Sequence, residues 1–277
     1  MVDTNLQNRA GKNTRVNPSL LYGADKGSGE LMKIAANQDN VLVAGRKGIV
    51  RVFGTVPNCC VGRLYNRNGD GVTPVDFDLL FIDPQGNEVV YASGSIGDGN
   101  DVPVAGPNCL RCSPFALVED EQIVLRVTGG DPSLADGVTF IPLPTQDGVT
   151  LVAPRSYITD TSRTIIAQPP TGKIWQMPMT QLYPCGASVL GFNFDGINAH
   201  DFDCYLVNGA TSDEVLLSAA DNVPAAGVDN LFTDMISSHM IPFPYRLEVE
   251  AVDANPFDAA FLITSFFVEF DLPKDIT

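Results

Sequence analysis

Cationic side chains are scarce in this chain: 17 Lys and Arg stand against 33 Asp and Glu in 277 residues, a formal charge of −16. Such an acidic body meets repulsion at every phosphate contact, which excludes nucleic acid as its partner. No apolar run approaches the ~20 residues that cross a bilayer. The most apolar stretch, 259–270, is broken by Thr264, Ser265 and Glu269, so no membrane partner is expected. The N-terminus, MVDTNLQNRAGKNTRVNPSLLYG, lacks the apolar core of a secretory signal. The expectation is a protein made and folded in a cytoplasm. Histidine occurs twice and tryptophan once. Nucleophile elbow, Walker A loop and dinucleotide fingerprint are all missing, and the chain reads as non-enzymatic. Long helices are excluded by 25 glycines and 20 prolines, about one residue in six against roughly 12% in average usage.

What is present is a 44% hydrophobic composition, ample for a core, and a chain that matches itself. Shifted by 125 positions, Ile49 meets Ile174 and Cys60 meets Cys185. Asp70-Gly71-Val72 meets Asp195-Gly196-Ile197, and Asp76-Phe77-Asp78 meets Asp201-Phe202-Asp203. One residue further on, Glu88-Val89 meets Glu214-Val215. Val102-Pro103 then meets Val223-Pro224, and Leu125-Arg126-Val127 meets Leu247-Glu248-Val249. Matches in this order imply a tandem duplication, roughly 40–146 and 163–272.

Each copy reads as strands. In VDFDLLFID (75–83), Phe77, Leu79 and Phe81 fall on one face at period two, and Leu80 and Ile82 on the other, so both faces are expected to be covered. Asp83-Pro84-Gln85-Gly86-Asn87 is turn chemistry, and 88–92 returns as the second arm of a hairpin. In the second copy Phe202, Cys204 and Leu206 take the inward positions. Further runs lie at 48–54, 59–65, 101–106, 122–128 and 136–143, then at 173–179, 186–193, 222–227, 245–252 and 260–270. Short helices are expected only at 29–36 and 231–238. Seven or eight short strands per ~110 residues argue for antiparallel sandwiches. The expected fold is all-β: tandem duplicated antiparallel β-sandwich (jelly-roll-like) domains with an extended N-terminal arm. Jelly-roll topology is the first choice and an immunoglobulin-like sandwich the second. The units are an arm at 1–40, a sandwich at 41–146, a linker at 147–162 able to hold a strand, and a second sandwich at 163–277.

The arm has the opposite charge balance. Ahead of Asp39 it carries Arg9, Lys12, Arg15, Lys26 and Lys33 against Asp3, Asp25 and Glu30, leaving −18 for the rest. Arg9, Lys12 and Arg15, with Leu20, Leu21 and Tyr22 as an apolar anchor, are therefore candidate interface residues for docking on a neighbouring acidic surface.

Candidate chemistry is thin. Asn66-Arg67-Asn68-Gly69-Asp70-Gly71 resembles the start of an EF-hand-type loop. Asn66, Asn68, Asp70 and Asp76 are thus candidate calcium ligands, although position 12 is Phe77 and the alternative is a tight loop using Asn, Asp and Gly for backbone geometry. Calcium is the one cofactor the sequence raises. Asp76 with Asp78, and Asp201 with Asp203, have the i, i+2 spacing that could suit paired-carboxylate hydrolysis. Occurring identically in both copies, they are expected to hydrogen-bond across strands or loops. Cys109 and Cys112 form a CxxC pair and Cys59-Cys60 adjoin one another, leaving free thiols, a disulfide or zinc open. Cys204 sits at an inward position and reads as a small hydrophobe. His200 and His239 lie in no recognisable constellation. Phe257, Phe261, Phe266, Phe267 and Phe270 read as core, and strand alternation turns one of Ile174 and Trp175 inward.

The hairpin DFDLLFIDPQGNEVVYAS with the later strand IVLRVTGG resembles the β-sandwich repeats of pre-peptidase C-terminal domains, which bind surfaces. The whole layout of basic arm, two tandem sandwiches and acidic body resembles bacteriophage virion proteins, namely capsid decoration (cement) and double-jelly-roll capsid proteins. That resemblance implies a non-enzymatic decoration or minor capsid component located in the virion. Its partners would be a major capsid protein or its own copies, bound through the arm and sandwich edges. The alternative is a carbohydrate- or surface-binding module, with calcium dependence as an open question.

Overall fold

The computed structural model describes residues 39–45, 47, 51–53, 62–66, 75–96, 109–110, 115–129, 135–140, 150–176, 189–231 and 240–272. The arm residues Arg9 to Tyr22 lie outside the described residues, as do the run at 101–106 and the expected helices at 29–36 and, past Leu231, at 232–238. The first half supplies β1 (Asn40–Ala44), β2 (Arg51–Phe53), β3 (Gly62–Asn66), β4 (Val75–Ile82), β5 (Glu88–Ile96), β6 (Cys109–Leu110), β7 (Phe115–Leu117), β8 (Gln122–Gly129) and β9 (Ala135–Phe140). The second supplies β10 (Thr150–Val152), β11 (Arg155–Ile158), β12 (Thr164–Ala167), β13 (Lys173–Gln176), β14 (Val189–Asn193), β15 (His200–Asn208) and β16 (Glu214–Val223). It continues with β17 (Val228–Asn230), β18 (Met240–Pro242), β19 (Tyr245–Ala251), β20 (Phe261–Ser265) and β21 (Phe267–Asp271). The protein is all-β among the described residues.

In the second half the sheets run β11-β20-β14-β17 and β12-β19-β15-β16, with β10-β21-β13-β18 continuing the first of them. Counting β10–β11, β13–β14, β18–β19 and β20–β21 as single bent strands leaves eight. Their orders are then 1-8-3-6 and 2-7-4-5, which is jelly-roll connectivity. The inner faces meet in a core built from Ile158, Ile166, Trp175, Val189, Phe202, Cys204, Leu247, Val249, Phe261, Ile263 and Phe267. Residues 147–162 contain two strands, and both pair into the second half: Tyr157 of β11 lies opposite Leu262 and Leu151 of β10 opposite Val268. The run at 222–227 does not form a strand of its own. Val223 ends β16, Pro224 brings no N–H, Ala226 takes φ 47°, and β17 follows.

The first half repeats this order. Sheet β1-β8-β4-β5 matches β12-β19-β15-β16, β6-β3-β9 matches β17-β14-β20, and β2-β7 matches β13-β18. Register agrees as well: Leu79 faces Leu125 and Ala92, while Cys204 faces Val249 and Ser218. The bulges recur at corresponding places, between Leu79 and Leu80 against β5 and between Cys204 and Tyr205 against β16. The edge strands share another, between Val41 and Val43 and between Ile165 and Ala167. A bulge inserts one residue and bends its strand, so shared positions mean shared twist. The register also corrects the sequence match near residue 125. Leu125 corresponds to Val249 rather than Leu247, so Arg126 corresponds to Glu250.

The two halves share a core. Phe77, Leu79, Phe81, Val89, Leu117, Ile123 and Leu125 of the first half pack in one cluster with Leu190, Phe192 and Leu262 of the second. The rings of Phe81 and Phe192 lie 4.3 Å apart. Period-two alternation in β11 turns Arg155 and Tyr157 toward the first half and Ile158 into the second sandwich. Arg155 grips Glu121 through two bonds, Nε to Oε1 at 2.5 Å and Nη2 to Oε2 at 2.8 Å. It also donates to the carbonyls of Ala116 at 2.5 Å, Pro154 at 3.0 Å and Ser265 at 3.2 Å. Glu121 is fully buried and also accepts from the Val118 amide at 2.9 Å. Gly45 passes so close to this turn that a Cβ would fall 1.5 Å from the Val118 carbonyl oxygen, so only glycine fits. Tyr157 donates its hydroxyl to Asp83 Oδ2 at 2.9 Å. Burial, then that bond to a carboxylate, pushes the phenol well above its ordinary range.

Removing one partner of a buried ion pair strands the other, at about 3–5 kcal/mol. Arg155→Met is therefore expected to lower the unfolding free energy by that amount in urea titration. The double change Arg155→Met with Glu121→Leu is expected to recover most of the loss.

Candidate functional site

Three of the four carboxylates singled out by spacing are committed to the protein itself. Asp78 accepts the Ser93 hydroxyl at 2.6 Å across the β4–β5 pair. Asp201 accepts the Asn222 amide at 2.6 Å, and Asp203 accepts the Ala220 N–H at 2.9 Å and the Tyr205 hydroxyl at 3.1 Å. Asp76 is exposed at the start of β4, its Oδ2 close against Gly129. Of the candidate calcium ligands, Asn68 and Asp70 lie outside the described residues, and Asn66 ends β3.

The corresponding loop of the second half is described, and its oxygens are taken by backbone donors. Asn193 Oδ1 accepts the Asp195 N–H at 2.9 Å, and Asn193 Nδ2 donates to the carbonyls of Asn198 and Pro224. Asp195 Oδ1 accepts the N–H groups of Ile197 at 2.8 Å and Asn198 at 3.1 Å; Oδ2 accepts from Asn198 Nδ2 at 3.0 Å and the Asp258 N–H at 3.3 Å. Burial, the largest influence on Asp195, raises its pKa, but the donors together outweigh it and hold the carboxyl below the usual range. Asn and Asp thus serve loop geometry here by the Asx-turn mechanism. Among the described residues, no group of three or more His, Cys, Asp or Glu is placed to hold a metal ion.

His200 starts β15 and is completely buried. Its Nδ1 lies 3.4 Å from Asp253 Oδ1 and its Nε2 4.0 Å from Asp195 Oδ2, yet neither nitrogen makes a hydrogen bond. The ring stacks on Phe257 at 4.0 Å and meets Phe202 and Phe261, so it packs as an aromatic. Cys204 faces the core. Burial first, then Asp221 and Asp203, pushes its thiol well above the ordinary range, which removes nucleophilic character. Trp175 is the inward member of its pair, stacked on Phe267 at 5.5 Å, with its indole N–H donated to Glu269 at 2.9 Å. Phe261, Phe266 and Phe267 are core, whereas Phe270 is 45% exposed. Cys59, Cys60, Cys112, Cys185 and His239 lie outside the described residues.

What the structure brings together instead is a pair of unlike docking surfaces. One is the end of the first half's β4–β5 hairpin, with Phe81, Val89, Tyr91, Asp83 and Glu121. The other is the outer face of β11-β20-β14-β17, with Arg155, Tyr157, Leu190, Phe192 and Leu262. An apolar centre bordered by a bidentate ion pair and a tyrosine–aspartate bond is the anatomy of a specific protein–protein contact. Sequence reading placed Phe81 in a core but missed Arg155 and Tyr157.

No protein-family model matches the chain, and no curated protein matches it. Among solved structures, a Eubacterium rectale protein described as secreted aligns at 10% identity over 93% of this chain and 84% of its own, with a TM-score of 0.14. At that score the alignment carries no argument. Among the described residues no helix is long and apolar enough to cross a membrane.

The Asp195 clamp has a pH signature. A carboxyl whose folded pKa is depressed contributes stability above its unfolded value, near 3.9, and that contribution is lost as pH falls through the folded value. Asp195→Asn should cost about 1–3 kcal/mol at pH 7. In thermal melts across pH 2–7 the gap from the parent protein should narrow below about pH 4.

Proposed function

We propose that the chain is a non-enzymatic structural protein of a virus particle that binds its own copies and neighbouring coat subunits. The observation that carries this reading is the fusion of two jelly rolls into one body through a shared core and a buried ion pair. Jelly rolls serve capsids, lectins and cupins alike, so the fold alone does not choose among them. Lectin and cupin functions need polar groups free to meet a ligand. Here the described carboxylates of the loops and strands are mostly spent on backbone and cross-strand bonds. Large conforming surfaces are what the chain offers, and those suit assembly. The basic arm, Arg9 to Tyr22, supplies a second contact, since a net positive segment is drawn to the −18 body of a neighbouring subunit.

Deleting residues 1–30 should leave a folded, soluble protein that no longer joins particles. Co-sedimentation with assembled shells reads this directly, and full incorporation of the truncated chain would remove the arm from the account. Binding to a glycan array by a protein that never joins particles would favour the carbohydrate-binding alternative. A melting temperature raised by calcium and returned to baseline by Asp70→Ala would add the metal to that alternative.

A further inference from the structure

His200 is completely buried, yet both of its ring nitrogens lack a hydrogen bond. The two sides of the ring face the same chemistry. Nδ1 lies 3.4 Å from Asp253 Oδ1, and Nε2 lies 4.0 Å from Asp195 Oδ2. A neutral imidazole carries one N–H and one lone pair. Whichever nitrogen holds the proton, the other turns its lone pair toward a carboxylate. Only the doubly protonated ring has a donor for each side. Burial opposes a charge here, but two carboxylates this close favour it. The parallel ring of Phe257, 4.0 Å away, is also a favourable neighbour for a cation. The elements around the ring bring no Lys or Arg. Between 174 and 273 the sole one is Arg246, which lies at the opposite end of β19 and is bonded to Glu248. The other nearby acids are turned elsewhere: Asp258 accepts from Asn198, Asp201 from Asn222, and Asp221 on β16 from Ser218. Otherwise β16 sets Val223 opposite His200, and β20 brings Phe261.

We infer that His200 is a proton-operated clamp: on protonation its two N–H groups bond Asp195 and Asp253, drawing the β14–β15 loop and the β19–β20 connection onto the start of β15. Both separations exceed the roughly 2.7–2.9 Å of a charge-assisted N–H···O bond, so the structure holds the clamp open, and closure takes a shift of about 1 Å. The carboxylates carry that shift into the backbone. Asp195 Oδ1 holds the N–H groups of Ile197 and Asn198, and Asp253 holds those of Asp201 and Asn255. The same segments carry Ile197 and Val252, which are 79% and 48% exposed, so closure stiffens an open end of the second sandwich. Histidine is the side chain suited to such a device near neutral pH. The stabilisation is present at acid pH and is lost as pH rises and the ring gives up its second proton. This inference stands apart from the assembly reading and needs no partner.

His200→Phe keeps a ring against Phe257 but cannot be protonated. In thermal melts of the full chain the parent should gain on this variant by about 2–4 °C between pH 8 and pH 5.5. His239 is present in both proteins, so the difference belongs to His200. Asp253→Asn leaves the ring in place and should remove most of the gain, which keeps the test open if His200→Phe does not fold. Amide exchange at Ile197, Asn198 and Asp201, corrected for the intrinsic rate, should slow at least threefold at the lower pH in the parent and stay level in Asp253→Asn. Long-range ¹H–¹⁵N spectra of the parent should show both ring nitrogens of His200 protonated at pH 5.5 in the folded protein. Melting curves of parent and both variants that run parallel across this range, or a His200 ring still neutral at pH 5.5, would overturn the clamp.

Discussion

The bidentate bond between Arg155 and Glu121 is the constraint on which the arrangement of the two halves depends. Taking a guanidinium and a carboxylate out of water costs several kcal/mol per ion, and only good geometry with every remaining donor satisfied offsets it. Arg155 meets that demand with both carboxylate oxygens and four carbonyls, those of Ala116 in the first half, of Ala153 and Pro154 just ahead of β11, and of Ser265 in β20. Apolar packing between Phe81 and Phe192 tolerates sliding. The ion pair does not, because its planar fork matches its partner in one register. A hydrophobic contact that joins two domains becomes a fixed angle only with such a lock. Asp83 adds a second point, closing its own hairpin through Gln85 and Asn87 while accepting Tyr157 from β11. The segment between the sandwiches is thus the part that orients them.

The repeat holds even where the chemistry has changed. On the outer face of the first half Arg126 bridges Asp39 at 2.7 Å and Glu88 at 2.8 Å. At corresponding positions in the second half Arg163 bridges Glu250 at 2.9 Å and Glu214. The cation has moved from the central strand to the flank, and the acid from the flank to the centre, while Glu88 and Glu214 keep their places. Both versions join three strands across one face. Arg126 holds Asp39 and Glu88 below the usual carboxylate range, chiefly by hydrogen bonding. Partly exposed pairs of this kind contribute little each. Their recurrence in mirrored form therefore says more about common register than about stability.

Much of this was legible in the residues. The alternation of Phe77, Leu79 and Phe81, the Asp83–Asn87 turn and the 125-residue offset led directly to β4, β5, β15 and β16, because those strands are long and lie between strong turn signals. β2, β3, β8, β9, β13, β14, β19, β20 and β21 overlap the other apolar runs, whereas the short strands β1, β6, β7, β12, β17 and β18 fall on none of them and the run at 222–227 forms no strand of its own. Three further features escaped, each for a physical reason. In RSYI the face turned to the other half carries Arg and Tyr, so β11 has no apolar alternation to detect. Leu125-Arg126-Val127 matched Leu247-Glu248-Val249 by identity, two residues out of register; a slip of two preserves face and so leaves hydrophobicity undisturbed. The candidate site was the least visible, since Glu121, Asp83 and Arg155 are 34 or more residues from their partners across the halves, and no local pattern encodes such a contact.

The asymmetry between equivalent residues follows from the way the halves are joined. Had two equal sandwiches met through the same patch on each, Phe81 and Leu206 would be buried alike and the chain would be complete in itself. They meet instead through unlike surfaces, and the outcome is unequal burial at equal positions: Val89 is closed off while Val215 stands open. Selection on a monomer would be expected to replace an open aliphatic at an edge strand with a charge, as natural edges commonly are. Glu214 next to it shows that charge is tolerated on this strand. Val215 nonetheless remains apolar, opposite a Leu206 that packs on the core of its own sandwich, so the equivalent pair in the two halves differs in burial because only the first is covered by a neighbouring sheet face.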